Sequence, residues 1–391
     1  MLDWAGLVLK AIYYYGHLIG LSNFEFDWRT GRVFTAARST LFAIVANAII
    51  VILLGFLLTR PINFSLIFGN SNRLHELVII TMTSLRLTAG LSTVLNRWRQ
   101  RSQMKDLVKR ILRLFLARPQ VKRMSRWGLL IKFLPITVTD ILQVAITLDA
   151  IGRGDSTFFL GMGLQLWVSG ILNLAISQHF LVMLFVRAQY QLLNIELRKV
   201  IDESTELSYH APRKAAFMTR CCNLADRLED VAKLQSQLQT IVTQLGEVFG
   251  IQGIMVYGGY YISSVAASYM TYSIVKNGPE NLGMTYRSTV LVFTWCIFYY
   301  WDAILNLFIM LYVQDDHKEM IHLLEKRTLF ASGLDVRLEE SFESLQLQLI
   351  RNPLKIEVLK IFSINRDSTS AMFGSLITHS IFLIQYDIQF F

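Results

Sequence analysis

Near the end of the chain, Thr378, Phe382, Gln385 and Tyr386 fall at i, i+4, i+7 and i+8, the spacing of one helix face. A hydroxyl, an aromatic ring, an amide and a phenol make an unusual stripe to offer to lipid. Repeated around an axis by several copies, it would line a narrow pore with an apolar constriction and a ring of amides. Packing inside an ordinary helix bundle accounts for the same stripe equally well.

Three ionisable residues raise a second question. Arg86, Asp140 and Asp302 each lie near the middle of an apolar stretch. A charge at that depth of a membrane is costly, so each must face the protein interior or a water-filled cavity. Arg86 can pair with Asp140 or Asp302 and hold a bundle together, or it can form the polar floor of a ligand cavity; the two roles are compatible. Aromatic residues crowd two further stretches, "YGGYY" at Tyr257 to Tyr261 and "WCIFYYWD" at Trp295 to Asp302. Rings with polar tips suit an interfacial belt and packing, and they also suit a pocket for a small organic ligand. His317 and His322 are five apart, which does not put them on one face, so a solvated helix is expected there. Cys221, Cys222 and Cys296 have no evident mates and read as reduced thiols. There is no Gly-rich phosphate loop, paired metal-ligand motif or nucleophile elbow. No catalytic residue, metal or cofactor is expected, and the chain does not read as an enzyme.

The elements that must position these residues are membrane helices. Of 391 residues 53% are hydrophobic and 17% charged, with a mean hydropathy of +0.40. Soluble domains carry about 25% charge, so the composition points to a polytopic membrane protein. Seven stretches are long and apolar enough to span: about 39–59, 77–95, 133–151, 158–186, 248–275, 288–313 and 368–386. Of 38 Lys and Arg residues, 32 fall before the first span or in loops 96–132, 187–247 and 314–367, and only 5 in the alternate loops. Loop 96–132 alone has 12 basic residues against one acid. The positive-inside rule therefore puts the N-terminus in the cytosol and the C-terminus outside, the reverse of a G-protein-coupled receptor. The net charge of +9 reads as a topology signal, and no nucleic-acid partner is expected.

Residues 1–38 read as a cytosolic N-terminal segment and 39–391 as a seven-helix transmembrane domain. The first 21 residues, which include Asp3 and Lys10, suit an interfacial or packed amphipathic helix better than a secretory signal. From Leu224 the apolar series Leu228, Val231, Leu234, Leu238, Ile241, Leu245 and Val248 predicts a helix running unbroken into the fifth span. Leu338, Phe342, Leu345 and Leu349 predict a second amphipathic helix, ending before Pro353.

The stretch "THSIFLIQY" pairs Thr378 and His379 with Gln385 and Tyr386 across five residues. This resembles the insect gustatory receptors, relatives of the odorant receptors, whose last span carries Thr-Tyr, five hydrophobic residues and Gln-Phe. Tyr386 is a mild replacement, whereas His379 departs from the pattern. Upstream, "KIFSI" at Lys360 to Ile364 resembles the family's Gly-x-Phe-x-apolar turn, with Lys360 in place of Gly. The resemblance implies a ligand-gated, non-selective cation channel in the plasma membrane of a sensory neuron dendrite. It implies a homotetramer, or a heterotetramer with related gustatory receptors, with membrane lipid around it. Thr378, Phe382, Gln385 and Tyr386 would line its pore, and the segments about 187–247 and 314–367 would build a cytosolic anchor. The ligand would be a small-molecule tastant, a bitter one being the first expectation, bound in a cleft open to the outside. On the expected topology Gln143, Trp167, Tyr261 and Trp295 fall in the outer halves of their spans, with Arg86 beneath them, and these five are the candidate lining. The alternatives are a seven-helix metabotropic receptor or transporter, or an auxiliary subunit of a heteromeric taste receptor.

Overall fold

The computed structural model describes residues 4–22, 24–26, 32–58, 73–149, 156–209, 214–278, 285–328, 335–359 and 362–390. Asp3 and Lys360 lie outside them. The described chain is an all-α membrane protein. Its helices are α1 (Trp4–Leu18), α2 (Ala37–Leu58), α3 (Arg73–Arg99), α4 (Arg101–Ala117), α5 (Gln120–Met124) and α6 (Arg126–Asp149). They continue with α7 (Ser156–Tyr209), α8 (Lys214–Asn277), α9 (Tyr286–Thr328), α10 (Val336–Arg351) and α11 (Arg366–Phe390). Two short antiparallel hairpins, β1 (Glu25–Phe26) with β2 (Val33–Phe34) and β3 (Glu357–Val358) with β4 (Phe362–Ser363), complete it.

The seven spanning helices are α2, α3, α6, α7, α8, α9 and α11. Five of them pass on length and hydropathy alone; α8 and α11 fall short on that measure. Their apolar stretches are uncharged but rich in Tyr, Ser and Gly, which lower mean hydropathy without adding charge.

Three helices are far longer than a bilayer. At about 1.5 Å per residue the 64 residues of α8 make a rod of about 96 Å, against about 30 Å of hydrocarbon. The predicted helix thus begins ten residues before Leu224 and runs on without a break. Its stripe is buried as expected: Leu228, Leu238 and Leu245 are all but inaccessible, against Leu193, Leu197 and Val200 of α7 and Met320 of α9. Asp335 caps α10 by accepting from the Arg337 N–H at 2.9 Å, and Leu338, Phe342, Leu345 and Leu349 all face this core. Each such side chain contributes about 1.5–3 kcal/mol over an exposed position.

The β3–β4 hairpin, which leads into α11, lies on a glycine face of α8. A Cβ at Gly250 would stand 2.5 Å from the Leu359 side chain, and one at Gly246 would stand 3.1 Å from the Glu357 carbonyl oxygen. Leu359 itself takes a left-handed φ of 52°, uncommon for a residue other than glycine.

Two expectations need correction. Segment 96–132 is not a loop: it folds into the end of α3, α4, α5 and the start of α6, with Met104, Leu107 and Leu112 of α4 packed inward. His317 is not solvated: it is buried edge-on to Tyr190 at 5.8 Å, and only His322 is exposed. At the other end α1 packs on α6 and α7, burying Val8 and Leu9 while Trp4 and Tyr14 stay exposed.

Candidate functional site

Five helices converge on a cleft within the bundle. α3 brings Arg86, α6 brings Asp140 and Gln143, α7 brings Asn173, α8 brings Tyr260, and α9 brings Trp295 and Tyr299. The aromatic clusters of α8 and α9 face each other here. Tyr260 and Tyr299 lie 4.9 Å apart, and Trp295 stacks on Tyr299 at 4.9 Å and 15°, as a one-turn spacing on a helix allows. The Arg86 guanidinium sits 4.7 Å from the Trp295 ring centre and 5.7 Å from that of Tyr299. Such contacts, worth about 0.5–2 kcal/mol each, offset part of the cost of holding a cation there.

Arg86 therefore pairs with neither Asp140 nor Asp302, against the simplest expectation for three charges at mid-span. Asp140 accepts from the Tyr15 hydroxyl at 2.9 Å and from the Asn173 amide at 2.8 Å. Asp302 accepts from Lys132 at 2.6 Å. Lys132 had counted as the last residue of a basic loop. In the fold it is buried on α6, one element further into the bundle than its charge suggested.

The five candidate cleft residues do not form one site. Arg86, Gln143 and Trp295 share the cleft. Trp167 lines a separate apolar groove between α2 and α7. Tyr261 points to α11, where its hydroxyl lies 2.7 Å from the Ser375 hydroxyl and 2.8 Å from His379 Nδ1. Asp140, Tyr260 and Tyr299 belong to the cleft as well, and their place in the charged and aromatic stretches is the sequence signal for it.

α11 rests along α8, held at three depths. Besides the Tyr261 contacts, Tyr269 donates to Asp387 at 3.0 Å and Lys276 to the same carboxylate at 3.2 Å. Thr378, Phe382, Gln385 and Tyr386 all lie exposed on it, Phe382 at 66%. So do Ile377, Ile381 and Ile388, so more than one face of this helix is uncovered in the single subunit.

A family described as 7tm chemosensory receptor matches residues 9–390, nearly the whole chain. The protein belongs to that family. The receptor is 59% identical to gustatory receptor 36a of Drosophila melanogaster and 56% identical to gustatory receptor 36c of the same species, over the full length of each. Its fold is similar to that of the insect olfactory receptor OR5 from Machilis hrabei, with a TM-score of 0.62, 10% identity and 97% of each chain covered. The structure of OR5 in complex with eugenol matches with a TM-score of 0.55 at 12% identity, over 98% of this chain and 99% of that one. The receptor is thus an insect-type gustatory receptor, not an enzyme.

Proposed function

We propose that this gustatory receptor is a ligand-gated, non-selective cation channel of the plasma membrane that detects a bitter small-molecule tastant. The observation that carries the reading is the exposed stripe on α11. Gln385 and Thr378 offer an amide and a hydroxyl from the exposed side of a membrane helix that packs on α8. Buried in lipid, an unpaired amide is costly. Four copies arranged with these stripes inward place the amides around water and Phe382 at the constriction, which satisfies both.

In this arrangement the N-terminus is cytosolic and the C-terminus extracellular, as the split of basic residues requires. The projecting parts of α7, α8 and α9, with α10, form the cytosolic anchor where subunits meet. The cleft lined by Arg86, Asp140 and Trp295 holds the tastant, as a small-molecule complex of a receptor of the same fold makes reasonable. Since the cleft has room for only a few waters, ligand must widen it, and that widening is what biases α8 and α11 towards the open state. Whole-cell recording from cells expressing this chain alone, challenged with plant alkaloids and sugars, tests the reading. It requires a tastant-evoked cation current that reverses near zero millivolts. A second-messenger response that G-protein blockade abolishes, with no such current, sinks it.

A further inference from the structure

On the reading that the cleft is the ligand site, we infer that it takes a small zwitterion, with an ammonium group against Asp140 and a carboxylate against Arg86. Both residues line the same cleft, from α6 and α3. Neither takes part in an ion pair among the described residues. Asp140 is held by two neutral donors, Tyr15 on one carboxylate oxygen and Asn173 on the other. Each oxygen keeps a second lone-pair direction for a ligand donor. Among the described residues Arg86 is held only over the faces of Trp295 and Tyr299, which leave its N–H groups unspent. Lys132 and Asp302, also buried in the bundle, are closed on one another.

Two opposite charges of this kind are each costly in a site screened from water. A ligand carrying both complements neutralises both at once. An amine alone keeps a like charge in Arg86, and an acid alone keeps one in Asp140. Trp295, Tyr299 and Tyr260 supply the apolar wall for the ligand body between its charged ends. Tyr15 is a positioning residue: it reaches from α1 to fix the orientation of the Asp140 carboxylate, and does not line the cleft.

Four probes of one scaffold test this by direct binding to the detergent-purified full chain, so that gating is not required. They are L-phenylalanine (zwitterion), 2-phenylethylamine (cation), 3-phenylpropanoate (anion) and 3-phenylpropanamide (neutral). Phenylalanine should bind tightest. Asp140→Asn should weaken the two amines by about tenfold or more and spare the propanoate, and Arg86→Gln should weaken the two carboxylates and spare the amine. Tyr15→Phe should weaken only the amines, a selectivity that general loosening of α1 would not produce. If Asp140→Asn fails to fold, Asp140→Glu, which keeps the charge and moves it, should reduce the preference for amines. The inference is overturned if phenylalanine binds no tighter than the amide, if none of the four binds, or if the charge variants weaken all probes equally or none. Trp295→Ala separates the two levels. If it weakens every probe while the charge variants weaken none, the cleft stands and the zwitterion falls. If it weakens none while phenylalanine binds, the cleft itself is misassigned.

Discussion

Lys132 on α6 donates to Asp302 on α9 at 2.6 Å, with side chains 2% and 7% exposed. Asn306 closes the cluster, accepting from Lys132 at 3.1 Å and donating to Asp302 at 3.1 Å. Removing one partner of such a pair leaves an uncompensated buried charge, which costs about 3–5 kcal/mol. Asp302→Leu should therefore lower the melting temperature of the purified receptor and its surface level. Lys132→Met combined with Asp302→Leu should recover most of both. A double variant as unstable as the single one would show that the pair does not set the stability of this contact.

The channel reading makes Phe382 the constriction. Shrinking it to Ala should give current without ligand, because a wider ring hydrates more readily. Gln385→Glu would set a ring of negative charge near the mouth and should tighten block by divalent cations. Recordings at matched surface expression decide the matter; wild-type basal current and block in both variants would mean that the stripe packs and lines no pore.

Where the family pattern has a tyrosine, His379 bonds to α8 through the Tyr261 hydroxyl, at 2.8 Å. Tyr261→Phe keeps the ring and removes that tie, together with the Ser375 contact. A neutral hydrogen bond contributes about 0.5–1.5 kcal/mol, so the gating equilibrium should shift by about two- to tenfold. Open probability at zero and at saturating ligand measures the shift. No change in either would limit these bonds to passive packing.

Two neighbours beyond the sixth span oppose each other in their response to acid. Burial pushes His317 down to about 4 and Asp316 up to about 6, the latter despite Arg187 at 3.5 Å. Unfolded, the imidazole titrates near ~6.5 and the carboxyl near ~3.9. As pH falls from about 6.5 to about 4 the unfolded chain protonates a histidine that the fold keeps neutral, so stability is lost. Asp316 acts the other way: its contribution is full below about 4 and is lost as pH rises through about 6. His317→Phe, which retains a ring against Tyr190, should leave a melting temperature that falls between pH 4 and 6. A profile that still falls on the acid side would assign the titration to other groups.

Topology is open to a direct check. An epitope added after Phe391 should be stained by antibody on intact cells, and one added before Met1 only after permeabilisation. The reverse pattern would overturn the orientation and, with it, the placement of Gln385 near the outer mouth.

Much of the fold was legible because it is local. The α8 series from Leu228 to Val248 and the α10 series from Leu338 to Leu349 repeat at three and four residues, and packing against any neighbour buries such a face. α4 carries a comparable face in Met104, Leu107, Val108, Ile111 and Leu114, but the twelve basic residues of segment 96–132 mask that period with charge. The cleft was legible in depth and not in azimuth. Trp167 and Trp295 sit at matching depths of their spans, yet which way each points depends on how α7 and α9 are rotated in the bundle. Hydropathy contains nothing about that rotation. Partners such as Lys132 and Asp302, 170 positions apart, are invisible for the same reason.

The contact between Tyr15 and Asp140 joins residues 125 positions apart, and α1 packs on α7, which is completed later still. α1 therefore leaves the ribosome well before its docking surface exists. At about 5–20 residues per second the delay is on the order of ten seconds. Through that interval Leu9, Ile12 and Ile19 lack the surface that covers them in the fold, and the acyl boundary beneath the lipid headgroups is the apolar surface at hand. The first helix made is thus seated only once the third and fourth spans are in place, and until then Asp140 lacks the Tyr15 hydroxyl that orients it.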